Sequence, residues 1–274
     1  MGALVDFSVT FTRGAALRRH QKLGLEEAYP WASLDPARYP PLLVERARRG
    51  WTENAFNEHC TGAAMGQLLQ CLALSGAPLD LCAMASGFLL EEVVHVGLRA
   101  CRRSARGIFP LRFDPSEVPV ALDPSLSHAQ RATEMVVRVC CVGEAFSLPM
   151  LTGAMRSATH PLTRAVLTTI VRDEAEHGRF GFLYLDHVAS TLRAPERDRL
   201  GRVAAETLSA YAPLWERLES RVRNGVTSEG FLVSHVRELG WMLSEDYAAL
   251  ARETVRREVI DPLAARGITV PWRG

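Results

Sequence analysis

Two four-residue units in this chain pair a carboxylate with an imidazole at a spacing suited to shared coordination: Glu92-Val93-Val94-His95 and Glu174-Ala175-Glu176-His177. On a helix, residues three apart project from neighbouring spots on one face, so both side chains can reach one cation. One unit alone is a weak signal. With 8 histidines and 21 glutamates in 274 residues, about 0.6 such pairs arise by chance. The surroundings add more. Each unit lies mid-way along a long helical pattern, and the pattern before it carries a glutamate on an otherwise apolar stripe. These are Glu58, 34 residues before Glu92, and Glu144, 30 residues before Glu174. At about 1.5 Å of rise per residue, a helical hairpin returns to the same depth after roughly that many residues. Four carboxylates and two imidazoles can therefore meet at one level.

Burying those carboxylates charged and unpaired would be very costly, whereas two divalent cations would balance them. Carboxylate and imidazole donors without thiolate favour iron or manganese over a structural zinc site. Asp173 and Glu91 each precede a candidate ligand. An acid there could accept the remaining ring N–H of the histidine on the partner helix and fix its tautomer. Thr61, Gly62, Phe88, Leu148 and Phe180 lie about one turn from the ligands. They either line a substrate pocket or fill the helical core.

The elements that must position these residues can be read from periodicity. Residues 1–40 form an irregular arm, in which Leu4 to Thr12 alternates weakly as a short strand or extended segment would, and Pro30, Pro36, Pro40 and Pro41 keep the chain irregular. Long 3.6-residue patterns then span about 51–74, 79–103, 127–158 and 161–192. The first ends at Ser75-Gly76-Ala77-Pro78. Ser127 with Gln130 fits a capping box at the start of the third, and Pro149 inside it predicts a kink or local widening. Between the second and third lies a proline-marked stretch, 104–126, too long for a tight hairpin. It reads as a long crossover. Beyond Pro195 come two further helical patterns, about 196–223 and 228–265, split by Asn224-Gly225. The expected layout is thus an arm (1–40), a four-helix unit (41–193) and C-terminal helices packed on it (194–274).

A formal net charge of +1 argues against a general nucleic-acid binder. No uninterrupted apolar run approaches the roughly 20 residues of a membrane span, and the N-terminus lacks a signal-peptide order. Cys60, Cys71, Cys82, Cys101, Cys140 and Cys141 form no CxxC pair and read as reduced thiols, so the expected location is cytoplasmic. Arg102, Arg103, Arg106 and Arg112 form a local basic cluster that suits a solvated face first, and otherwise an acidic carrier protein or an anionic substrate. His20, His128, His160, His187 and His235 read as solvated or capping residues, and His59, which follows a candidate ligand, as a surface residue or one in the layer behind the ligands.

The order Glu…Glu-x-x-His…Glu…Asp-Glu-x-x-His over about residues 50–190 resembles the ferritin-like di-iron carboxylate superfamily. The resemblance implies an all-α ferritin-like four-helix bundle with a long crossover between helices 2 and 3. It also implies Glu58, Glu92, His95, Glu144, Glu174 and His177 as ligands of two iron ions or a manganese–iron pair. Members activate dioxygen to oxidise a small organic substrate by hydroxylation, desaturation, N-oxygenation or oxidative cleavage, or they oxidise iron for storage. An external electron donor and a homodimer are compatible with it. Arylamine N-oxygenases of the class carry a histidine where this chain has Ile170. Multicomponent hydroxylases often carry threonine where it has Leu148. No rubredoxin-like cysteine pairs are present. An oxygen-activating oxidase or oxygenase is the expectation. Iron storage and a non-catalytic helical binding module are the alternatives.

Overall fold

The computed structural model describes residues 3–12, 14, 16, 29–100, 108–218 and 220–273. Cys101, His20 and the basic residues Arg102, Arg103 and Arg106 fall outside them. The protein is mainly helical, built on four long helices: α1 (Pro41–Ser75), α2 (Leu79–Ala100), α3 (His128–Ser157) and α4 (Pro161–Val188). α1 begins ten residues before the expected Trp51. Pro41 occupies its first turn, where a missing N–H is harmless, and Leu43, Ala47 and Trp51 continue its buried stripe. Gly76 ends it in the left-handed conformation, at φ 70°. Ser127 caps α3 through the reciprocal capping box with Gln130. His160 caps α4, its ring Nδ1 accepting from Leu162 N–H at 3.2 Å.

α1 packs along α2, and α3 along α4; the two pairs meet through α1 with α3 and α2 with α4. The crossover sets their directions. Phe109 N–H donates to Thr52 Oγ1 at 2.9 Å, near the start of α1. Eleven residues later Gln67 binds the Val120 backbone through both its amide ends, at 2.8 and 3.0 Å. The crossover therefore climbs the side of α1 and returns the chain to the far end, so α2 and α3 run parallel. The N-terminal arm joins it: β1 (Val5–Asp6) pairs antiparallel with β2 (Arg112–Phe113), and Phe7 packs edge-on to Phe56 at 5.3 Å. Arg112 faces Asp6 at 3.6 Å on that exposed ribbon.

α3 is not α-helical throughout. Val136–Glu144 is wound as a π-helix and ordinary winding resumes at Ala145. The widening expected near Pro149 thus lies one turn upstream of it, ending where the proline ring would crowd the Ala145 carbonyl.

The last third departs from two uninterrupted helices. α5 (Ala194–Tyr211) and the short α6 (Pro213–Glu216) are followed by a hairpin, β3 (Val222–Arg223) and β4 (Val226–Thr227). Asn224 and Gly225 turn it with φ of 53° and 76°, the pair of positive angles that a two-residue hairpin turn requires. α7 (Val233–Glu238) stops at Gly240, φ 90°. α8 then runs through Ser244–Thr254, a π stretch Val255–Ile260, and Asp261–Ala264. α5 lies against the π stretch of α3, and α8 against the rest of α3.

By length and composition α2 and α3 are each apolar enough to cross a membrane, which corrects the expectation that no segment reaches that size. Counting uninterrupted apolar residues missed them, because Glu91, Glu92 and His95 break the run in α2 and Arg138 and Glu144 break it in α3. The five described cysteines are free.

Candidate metal centre

Two apolar clusters fill the interior around the site, a third lying at the start of α1. One holds Met65, Leu68, Leu72, Phe88, Met135 and Tyr184, and the other holds Trp51, Leu98, Leu162, Val166 and Ile170. Between them lies a layer of polar side chains. Glu58 of α1, Glu92 and His95 of α2, Glu144 of α3, and Glu174 and His177 of α4 are all buried there. All six sequence candidates thus come from four helices to one level. They form two groups whose ligand atoms lie within 4.8 Å of one another: Glu58, Glu92, His95 and Glu174, and Glu92, Glu144, Glu174 and His177. Glu92 and Glu174 belong to both. Either group could hold a metal ion.

The contacts inside the layer are close but do not pair off. His95 Nδ1 is 3.3 Å from Glu174 Oε1 and 3.9 Å from Glu92 Oε2. His177 Nδ1 is 3.0 Å from Glu174 Oε2 and 3.3 Å from Glu92 Oε1. Even so, both Glu92 oxygens, Glu174 Oε2 and both Nδ1 atoms are buried without hydrogen-bond geometry to any partner. Buried polar atoms are rarely left so. Atoms that converge without bonding one another are arranged around a common point, as ligands of a cation are.

The outward ring nitrogens are held from the opposite helix. His177 Nε2–H donates to Glu91 Oε2 at 2.8 Å, and His95 Nε2 lies 3.4 Å from Asp173 Oδ2. Each acid sits on the neighbour of a ligand in the other Glu-x-x-His unit, so the two units orient each other. This turns both Nδ1 atoms inward.

Electrostatics follow from burial against this crowd of acids. Burial disfavours the charged form of His95, yet its contacts with Asp173, Glu174 and Glu92 outweigh that and push it up to about 12. His177 is likewise opposed by burial and raised to about 12 by Glu174, Glu91 and Glu92. Burial raises Glu58 to about 8, against the pull of Arg99. Burial, with Glu174 and Glu92 close by, drives Glu144 well above the usual carboxylate range. Glu92 and Glu174 lie below it, because the two imidazoles outweigh burial there. Without a cation, the layer neutralises itself with protons.

Local sequence explains the close approach. A Cβ on Gly62 would stand 3.4 Å from Glu92 Cβ, so α1 and α2 touch one turn beyond Glu58. A Cβ on Gly181 would come within 2.6 Å of Cys141 Sγ and 2.9 Å of Cys141 N, so only glycine lets α4 lie on the π stretch that ends at Glu144. Of the suggested pocket residues, Phe88 packs on His177 at 4.3 Å and on Phe180 at 5.5 Å. With Gly62 these two rings belong to the packed interior. Thr61 and Leu148 are half-buried.

The sequence reading missed Arg99. It stands four residues after His95 near the C-terminus of α2. In the fold it is 5% exposed, donates from Nε to Glu58 Oε1, and lies 5.8 Å from the Trp51 ring. Its place on the face of His95, beside Leu98, was the available signal.

Comparison of the chain with family models, curated proteins and solved structures gave no match.

Proposed function

We propose that this protein is a ferritin-like di-metal carboxylate oxidoreductase that activates dioxygen to oxidise a small organic substrate. The observation that carries the reading is the pair of overlapping ligand groups, whose inward oxygen and nitrogen atoms are buried and lack hydrogen-bond partners. Glu58 and His95 would serve one ion, Glu144 and His177 the other, and Glu92 and Glu174 both. The donor set fits iron or a manganese–iron pair. Two such ions, when bound, would supply the one-electron steps that dioxygen chemistry needs.

The chain's own contribution is positional. Asp173 and Glu91 would hold the imidazoles in the tautomer that presents Nδ1. The two apolar clusters exclude water from the layer, which strengthens every electrostatic contact within it. Arg99 supplies a fixed positive charge beside Glu58. The parallel α2 and α3, joined by a long crossover, are the arrangement expected of a ferritin-like bundle.

Anaerobic loading with Fe(II) tests the proposal. The wild type should retain about two ions per chain, while Glu92→Ala and His177→Ala, which remove a shared and an unshared ligand, should retain far less. The reduced, loaded protein should consume dioxygen. Equal and negligible metal in all three proteins would overturn the reading.

A further inference from the structure

Beside Arg99, the partner of Glu58, the structure holds a cavity of about 80 Å³ that opens to solvent. It opens among the start of α1, the end of α2 and the 29–40 segment. Its wall is aromatic and aliphatic: Trp31, Tyr39, Trp51, Leu162 and Leu239. Two of these rings have their polar ends engaged elsewhere. Tyr39 Oη–H donates to Glu238 at 2.6 Å, and Trp51 Nε1–H to the Leu239 carbonyl at 3.0 Å. Thr52 is engaged too, donating to the Arg48 carbonyl and accepting from Phe109 N–H, both at 2.9 Å.

The polarity that remains is cationic. Arg48 and Arg99 line the cavity, and no carboxylate is among its described lining residues. Arg48 Nε is buried without a hydrogen bond; the group's recorded contacts are an Nη2 bond to the Ile108 carbonyl at 3.3 Å and the Phe109 ring at 5.7 Å. Arg99 spends Nε on Glu58, which leaves its terminal nitrogens without a hydrogen bond among the described residues. Arg99 already faces Glu58 through Nε and Arg48 is half-buried, and the planar fork of a guanidinium matches a further carboxylate with two parallel bonds.

We propose that this cavity seats an apolar monocarboxylate, its head at the Arg48–Arg99 pair and its aliphatic or aromatic body against Trp31, Trp51 and Leu239. The inference deepens the di-metal reading, because it makes this ligand class the substrate. Arg99 lies one turn beyond His95, about 6 Å along the helix axis. A head group there would sit one side chain away from Glu58.

Binding to the metal-free protein tests this independently of any turnover. The probes are octanoate and 4-phenylbutyrate, with octanamide as the uncharged counterpart. Binding is followed by calorimetry and by the fluorescence of Trp31 and Trp51. Each carboxylate should bind at least about tenfold more tightly than octanamide, a difference of the size a charge-assisted bond supplies. Arg48→Gln should lose that preference while keeping the helical circular dichroism of the wild type. Arg99→Gln should lose it as well, and either folded variant suffices for the test. Octanamide binding as tightly as octanoate, or no saturable binding of either carboxylate, would overturn the inference. Metal uptake is measured separately on the same preparations. Carboxylate preference without metal uptake would remove the di-metal reading alone, and metal uptake without carboxylate preference would remove this inference alone.

Discussion

Loading the site with metal should expel protons, and the structure sets how many. At pH 7 His95 and His177 are imidazolium ions, each raised to about 12 by the surrounding carboxylates after burial has been outweighed. Neither can coordinate through Nδ1 until that proton leaves. Glu58, raised to about 8, also holds a proton at that pH because burial disfavours its charge, and burial shifts Glu144 in the same direction. Two protons must therefore leave from the imidazoles, and a third leaves if Glu58 binds as an anion. By linkage the logarithm of the metal affinity rises with pH by one unit for each proton released. The sign is fixed: groups with raised pKa values compete with the metal below those values and cease to compete above them. Below pH 8 the expected slope is two decades per pH unit if only the imidazoles release protons and three if Glu58 does so as well, and in the second case it falls by one as pH passes the Glu58 value. Calorimetric titration with Mn(II) in buffers of different ionisation enthalpy counts the protons directly. A heat independent of buffer, or release of fewer than two protons, would refute the account of the layer as a proton-neutralised cation site.

Four further outcomes follow. Glu91→Gln weakens the bond that orients His177, and metal affinity should fall by about 10- to 100-fold with the fold intact; an unchanged affinity in equilibrium dialysis would show that Glu91 does not set the ring. Glu144→Gln replaces a carboxyl whose charged form burial disfavours with a neutral group of the same shape. The metal-free variant should melt at or above the wild-type temperature and lose most of the rise that metal produces, so a fall of many degrees in the metal-free form would contradict the assignment. Gly181→Ala forces a methyl group into Cys141. A cost of about 1–3 kcal/mol is expected, seen as a Tm lowered by several degrees, and an unchanged Tm would show that the π stretch can give way. Gln67→Ala removes both bonds to Val120. It should speed amide exchange along the crossover while leaving α1 protected, and equal exchange in both proteins would deny Gln67 that clamping role.

The helices, their order and the six polar residues of the central layer were legible because each rests on local periodicity. Glu92 and His95 share a face by spacing alone. The capping box at Ser127 and the stop at Gly76 are short-range signals read within four residues. Where local signals competed, the reading failed. Val222-Arg223-Asn224-Gly225-Val226-Thr227 is a hairpin sequence, yet the helical pattern on either side dominated the reading. α1 begins ten residues early because Leu43 and Ala47 bury their side of it only once Phe231 and Leu239, nearly two hundred residues away, pack there.

What the sequence by itself determined is which residues could form a metal centre: two Glu-x-x-His units, and two glutamates at hairpin distance. Only the tertiary structure decided how they divide, with Glu92 and Glu174 common to both groups and Glu91 and Asp173 gripping the histidines crosswise. It alone brought Arg99 to Glu58 and opened a cationic, aromatic-walled cavity beside them. The reason is physical. A face is set by bonds a few residues apart, whereas a shared ligand, a charge partner or a cavity depends on how separate helices cross, and no spacing along one chain records that angle.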